Sequence, residues 1–339
     1  MKTRIPRGIA RAFAALATTL ATSLATTFAC VAPAGAQTFP SQPVKWIVPY
    51  APGGTTDVIA RNLALRMGQD LGQPVVVENR PGAASIIGAT AIARAAPDGY
   101  TVGTADSGTL AFNPAMYSSL TYDAGKDFTF IGGLGRMPLV LAVHPSFPAK
   151  DLKEFVALVR KSPGRISSAS SGPGSPLHVA LELFKQRTRT DILHVPYKGS
   201  SPALQDLMAG QVQTMFVDLP PSLSMIRAGK IRVLAVATPQ RLPILPDVPT
   251  MAESGLPELA GFEAYAWQGF VGPAKLPQPV VARLNQELVA ALRHPGTRAK
   301  LEELGIQPMP MSAAEFGDFT RSEQKLWSGV IKAAGIRLD

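Results

Sequence analysis

Val44-Lys45-Trp46-Ile47-Val48-Pro49-Tyr50-Ala51-Pro52-Gly53-Gly54-Thr55-Thr56-Asp57 is the stretch on which the fold turns. Val44 to Tyr50 reads as a strand. The glycine turn behind it enters a helix, because Ile59, Leu63, Met67 and Leu71 recur every four residues until Gly72 and Pro74 stop the pattern. A strand feeding a helix through a short turn is the repeating unit of α/β proteins with parallel sheets. The unit recurs. Val75-Val76-Val77 and Tyr100 to Thr104 complete the strands of a first lobe, and Phe128 to Val143, interrupted by Gly132, Gly133 and Gly135, reads as a crossing segment.

A second set of units follows. Asp151 and Glu154 form a capping box for a helix carrying Leu152, Phe155, Val156 and Val159. Strands are expected at Ile166 to Ser170, Ile192 to Val195, Val212 to Val217 and Ile231 to Ala237. Helices are expected to carry His178 to Phe184, to run from Pro202 to a stop at Gly210, and to span Pro221 to Ala228. After a proline-rich stretch, Ala266 to Val271 reads as the strand returning to the first lobe. Three helices finish the chain, the last capped by Ser312 and Glu315. The expected organisation is a targeting segment at 1–36, a first lobe at 37–127, a crossing strand and second lobe at 128–238, and a return crossing with C-terminal helices at 239–339. Two lobes joined by two crossings enclose a hinged cleft.

The targeting segment rests on Lys2, Arg4, Arg7 and Arg11, an uncharged run from Phe13 to Val31, and the small residues Ala34-Gly35-Ala36 ahead of Gln37. A membrane anchor is the weaker reading, since the apolar part is short for a span of about 20 residues. Cys30 as a lipid acceptor is weaker too, because Thr27-Phe28-Ala29 approaches it poorly. The 33 Lys and Arg, less those four, stand against 24 Asp and Glu, an excess too mild and too scattered for a nucleic-acid surface. The single Cys lies inside the targeting segment. The mature chain therefore has no disulfide framework, which suits an oxidising compartment.

Ligands of open parallel sheets bind beyond the carboxyl ends of strands. Gly53 and Gly54 let the backbone approach a ligand, the helix start presents unpaired N–H groups to an anion, and Thr55 and Thr56 add hydroxyls. Asp57 reads better as a cap than as a ligand contact. An ordinary strand–helix turn accounts for the same residues, and no Lys-Ser or Lys-Thr follows to make a nucleotide loop. Thr104 to Thr109 repeats the pattern. Ser167-Ser168-Ala169-Ser170-Ser171-Gly172-Pro173-Gly174-Ser175 is the densest run of hydroxyls and glycines, and Pro196-Tyr197-Lys198-Gly199-Ser200-Ser201 adds a cation at the same edge. Catalysis finds little support. There is no G-x-S-x-G elbow, and His144, His178, His194 and His294 lack metal-ligand spacing. His178 beside a loop serine reads better as a packed or capping residue. The chain is read as a non-enzyme without cofactor or metal.

With these residues in hand, the chain resembles the tripartite tricarboxylate transporter receptor family, the Bug family of solute receptors, from about Phe39 to Gly335. The resemblance is carried by Pro43-Val44 through Pro49-Tyr50-Ala51-Pro52-Gly53-Gly54 with Asp57, Val77-Glu78-Asn79-Arg80-Pro81-Gly82, Ala96-Pro97-Asp98-Gly99-Tyr100 and Asn113-Pro114-Ala115. It continues in His194-Val195-Pro196-Tyr197-Lys198-Gly199, Pro246-Asp247-Val248-Pro249-Thr250 with Glu253, and Ile331-Lys332-Ala333-Ala334-Gly335. It implies an α/β, two-lobed periplasmic-binding-protein (Venus flytrap, type II-like) fold, each lobe a mostly parallel sheet flanked by helices. It further implies a periplasmic monomer that binds a small carboxylate, an organic acid or amino acid, and delivers it to the large and small membrane subunits of a transporter. A sensor subunit signalling to a histidine kinase is the alternative. The ligand-binding residues it implies are Tyr50, Ala51, Gly54, Thr55, Thr56 and Asp57; Thr104, Asp106, Ser107 and Gly108; Ser168, Ser170, Ser171 and Gly172; and Ala203 and Asp218.

The chain departs from the family pattern in places. Asp106 replaces a hydroxyl or glycine and Asp218 a usual Asn. Leu110 and Leu177 stand where His and Gln are common, and Ala84-Ser85-Ile86 replaces a glycine pair and an Asn. Two added carboxylates near the cleft would repel a polyanion such as citrate. They favour a ligand with one carboxylate and a cationic nitrogen facing Asp106 or Asp218, unless both side chains point away into solvent.

Overall fold

The computed structural model describes residues 39–338, so the targeting segment, its cleavage point and Cys30 lie outside the described residues. β1 (Val44–Val48), β2 (Val75–Asn79) and β3 (Thr101–Asp106) are parallel, in the order β2-β1-β3. β3 runs two residues beyond its expected end. Thr104, Ala105 and Asp106 pair with Phe270, Gly269 and Gln268 of β9 (Tyr265–Pro273), a partner too distant in sequence for local pattern to reveal. β9 lies antiparallel to β4 (Phe128–Val143), which serves both sheets. β4 faces Tyr265 at Pro138, then Asp218 of β7 (Thr214–Asp218) at Leu139. The second sheet adds β5 (Ser167–Ser170) and β6 (Leu193–Pro196), parallel to β7, with β8 (Arg232–Val236) on the other side of β4. β10 (Gln307–Pro308) pairs with Gly135 and Arg136 of β4.

Both sheets are therefore mixed, where mostly parallel ones were expected. One crossing strand leaves the first sheet and the other returns, so the two must run in opposite senses side by side. The glycines of β4 serve packing. A Cβ on Gly132 would stand 2.9 Å from Leu288 and one on Gly133 2.8 Å from Met309, so only bare backbone admits the C-terminal elements there. Register shifts at Phe130/Gly132 and Gly133/Gly135 bend the strand at the same places.

The helices are α1 (Thr55–Leu71), α2 (Ile86–Ala93), α3 (Asn113–Met116), α4 (Leu152–Lys161), α5 (Pro176–Thr188), α6 (Ser200–Met208), α7 (Leu219–Arg227), α8 (Gln278–Arg293), α9 (Pro295–Glu303) and α10 (Ala313–Ala334). A single π turn, Gly108–Phe112, joins β3 to α3. Ser312 and Glu315 make the full capping box at α10. At α4 only half of one forms: Asp151 accepts from the Glu154 N–H, but Glu154 reaches back to the Lys150 N–H. α10 ties the two sheets together. Its Phe316 lies on bare Gly269 of β9, Gln324 donates to the Leu110 carbonyl (2.7 Å), and the Val330 carbonyl accepts from Gln186 of α5 (3.0 Å).

Candidate functional site

Strand polarity brings the loops together. β1 and β3 run in the same sense as β4, toward the second sheet. β5, β6 and β7 run against β4 and end toward the first sheet. The turns after β1 and β3 and those after β5, β6 and β7 thus open onto one seam at the crossings. Gly174 sits so near α3 that a Cβ there would stand 2.5 Å from the Met116 sulfur, so the loop after β5 touches the helix that follows β3.

Register also assigns a face. Directly opposed residues of a sheet point to the same side, and side chains alternate along a strand. Asp106 opposes Gln268, Gln268 opposes Gly135, and four residues further along β4 Leu139 opposes Asp218. Asp106, Gln268 and Asp218 therefore share one face, with the levels of Gln268 and Asp218 about 13 Å apart along the strand. Tyr265 points to the opposite face, where the Arg136 guanidinium covers its ring at 4.4 Å.

The turn after β1 is held by Asp57. Its carboxylate accepts from the Gly53 N–H and Arg61 (both 2.9 Å) and from Asn79 (2.8 Å), and Asn79 also donates to the Tyr50 carbonyl. Burial alone would raise the Asp57 pKa; these donors outweigh it and hold the group below the ordinary carboxylate value. Asp57 thus shapes the turn from inside the helix; the N-cap of α1 is Gly54, which makes no side-chain cap. Ala51 and Gly54 are exposed, and Thr55 opens α1. The first-turn N–H groups of α1 have no carbonyl one turn back to accept them, so they point at the seam. Thr56 is buried and its hydroxyl accepts from Gln268 (2.7 Å).

Around β3 the residues divide by role. Thr104 is buried and accepts from the Trp46 indole at 2.9 Å, so its hydroxyl belongs to the sheet. Asp106 is bonded on both oxygens, to the Tyr50 hydroxyl on one and to the Thr109 N–H and hydroxyl on the other. It clamps the turn after β1 to the turn after β3, with both oxygens engaged by protein donors. Burial, then the Asp106 charge, raise the Tyr50 pKa far above its usual value, so Tyr50 stays a donor. Gly108 starts the π turn close under the Asp106 carboxylate, where a Cβ would stand 3.3 Å from its oxygen. Ser107 is buried with an unpartnered hydroxyl, and so is the side-chain carbonyl oxygen of Gln268. Gln268 escapes sequence reasoning because its hydrogen-bond partner, Thr56, lies more than two hundred residues away; its one signal is a lone amide inside the apolar run Ala264 to Val271.

In the second sheet, Ser170 accepts from the Gly172 N–H and bonds the His194 ring at 2.7 Å. His194 stacks on His178 with centroids 3.7 Å apart, and His178 Nδ1 accepts from the Gly174 N–H at 3.0 Å. Burial pushes both imidazoles down to about 4, helped by Lys185 at His178 and by His178 at His194. The pair is neutral and fixes the loop from both sides. Ser171 accepts from the Gly199 N–H through its carbonyl, and Gly172 has φ +135°, a conformation that favours glycine. Ser168 is wholly buried within β5 with an unpartnered hydroxyl, and Ala203 is wholly buried in the core of α6. Asp218 ends β7, and its carboxylate has no hydrogen-bond or ionic partner among the described residues.

Two mixed sheets, a pair of crossing strands and carboxyl-end loops meeting at the seam define a two-lobed solute-binding protein of the periplasmic-binding-protein type. The chain belongs to the family of tripartite tricarboxylate transporter receptors, whose model matches residues 59–336. It is 36% identical over 308 residues to Protein BugT of Bordetella pertussis, covering 91% of this chain and 94% of that one. Among solved structures it is similar to R. palustris Rpa4515 with adipate (36% identity, TM-score 0.78, 88% of this chain and 99% of that one). It is also similar to MatC (Rpa3494) from Rhodopseudomonas palustris with bound malate (36% identity, TM-score 0.74, 86% of this chain and 100% of that one).

Proposed function

We propose that this chain is an extracytoplasmic receptor that captures a small carboxylate at the seam and presents it to a membrane transporter of one large and one small subunit. The observation that carries the reading is the buried, unpartnered side-chain oxygen of Gln268, whose amide donates to Thr56 in the first turn of α1, with the buried Ser107 hydroxyl at the end of β3 unpartnered as well. Buried polar atoms without partners cost about 1–3 kcal/mol each, a cost that a ligand or the water it carries removes. A carboxylate leaving water must regain its hydrogen bonds. Charge-assisted bonds from preset donors contribute roughly 1.5–3 kcal/mol each. Three or four of them, less the cost of closing two lobes, agree with affinities near micromolar, about −8 kcal/mol. The adipate and malate bound by the two similar receptors support this ligand class.

Delivery rather than turnover suits the site. Asp57 and Asp106 are spent on loop architecture, and the histidine pair on holding a turn. Periplasmic residence rests on the basic, uncharged and small-residue segments of the first 36 residues. Native mass spectrometry of the protein as isolated, with calorimetry against mono-, di- and amino-carboxylates, tests the reading. A carboxylate of the panel should bind with a micromolar dissociation constant and be recovered unchanged. If none binds below millimolar, or if it is converted, the proposal fails.

A further inference from the structure

An aspartate at a helix N-cap ordinarily turns its carboxylate onto the N–H of the second or third helical residue. Asp218 is the N-cap of α7, and it makes no such bond. The reason is written in the next three residues. Leu219 is the first helical residue, and Pro220 and Pro221 are the second and third, so neither position has an N–H to offer. The chain puts a capping residue here and removes both donors it would cap. No cation approaches either: among the described residues the Asp218 side chain has no salt bridge and no hydrogen bond, while its backbone carbonyl accepts from the Ser222 hydroxyl. Its face of the sheet is the face of Gln268, and it ends the strand whose following turn opens onto the seam.

We propose that Asp218 selects the far end of the ligand, so that this receptor takes a small carboxylate carrying a cationic nitrogen and rejects a dicarboxylate of equal length. The inference rests on the carboxylate-receptor reading above. Asp106 suits the role less because three protein donors already engage its two oxygens, whereas among the described residues neither oxygen of Asp218 has a protein partner. Its pKa, pushed up to about 6 by burial, leaves it mostly ionised at pH 7, and a second ligand carboxylate beside it would meet a like charge. An ammonium group instead supplies up to three donors and the opposite charge.

The test is calorimetry at pH 7.5 with two matched ladders, linear ω-amino acids and linear dicarboxylates of two to six carbons, against the wild type, Asp218→Asn and Pro221→Ala. The wild type should bind its best amino acid at least tenfold tighter than the dicarboxylate of the same length. Asp218→Asn, close to isosteric, should reverse that preference. Pro221→Ala restores a capping N–H, should draw the carboxylate back onto α7, and should narrow the preference without abolishing binding. A wild type that prefers the dicarboxylate, or a preference unchanged in Asp218→Asn with a native circular dichroism spectrum, overturns the inference while leaving the receptor reading intact. Should neither ladder bind any of the three proteins, both readings fall together.

Discussion

Ala83, Ala84 and Ser85 all have positive φ, at 46°, 48° and 71°, on the approach to α2. Left-handed backbone costs a non-glycine residue roughly 1–2 kcal/mol. Ser85 recovers part of that through its bond to Thr109 (2.8 Å), beside the Asp106 clamp. Ala84 recovers nothing from its side chain, which is exposed. Ala84→Gly should therefore raise the unfolding free energy by about 0.5–1 kcal/mol, the relief being offset in part by the looser unfolded chain. Calorimetric melting checks this, and a lower midpoint would mean that the backbone there is not strained. Asp57 is the opposite case. Its carboxylate is buried and holds Gly53, Arg61 and Asn79. Asp57→Ala should cost about 2–3 kcal/mol of stability and weaken carboxylate binding as the turn loosens, while Arg61→Ala, which removes one exposed partner, should cost under about 1 kcal/mol. Equal losses in the two variants, measured by denaturant titration, would count against Asp57 as the organiser.

At the scale of elements, the loop from Ser170 to Ser175 is held by a neutral stacked pair, His178 on α5 and His194 on β6, with Glu182 at 3.9 Å from His178 and Lys185 bonded to Glu182 at 2.7 Å. Both imidazoles have folded pKa values near 4, below the unfolded value near 6.5. The unfolded chain thus binds more protons between those limits. The stability contributed by the pair is full above about pH 6.5 and is lost as pH falls toward about 4, a loss on the order of 1–3 kcal/mol. The double variant His178→Gln, His194→Gln should melt with a shallower pH dependence than the wild type from pH 6.5 to 4; parallel curves would remove the pair from the acid response. Local pattern made much of this level legible. β1 to β9 lie within a residue or two of their expected places, the glycine turns stand where expected, and the α10 box is readable from Ser312 and Glu315, whereas β10 has no local signal. Roles that depend on register were not legible. Thr104 is claimed by Trp46 on a neighbouring strand, Gln268 meets Thr56 from the far end of the chain, and α2 begins from left-handed residues that no periodicity marks.

For the whole molecule, β4 is the strand that belongs to both sheets, and a small knot locks it where it passes from one to the other. Leu139 N–H donates to the Ala264 carbonyl, Ala264 N–H to the Ala237 carbonyl, and Ala237 N–H to the Leu139 carbonyl. Three segments distant in sequence are thereby fixed at the level where β4 changes sheets. Bending that opens the seam must pivot near this knot, because the loops on either side, 50–57 and 170–175, are bonded almost wholly within their own sheets. A ligand that touches both loops stabilises the closed form only by contacts that exist there. Amide hydrogen exchange then separates a hinged receptor from a rigid one. Saturating ligand should slow exchange in both loops together, while the amides of Leu139, Ala237 and Ala264 stay protected with and without it, since their bonds belong to both forms. Protection confined to one loop would mean that the ligand sits on a single lobe. Protection that first appears at the crossing residues would mean that the knot forms only on binding, and the hinge would have to be sought elsewhere in the chain.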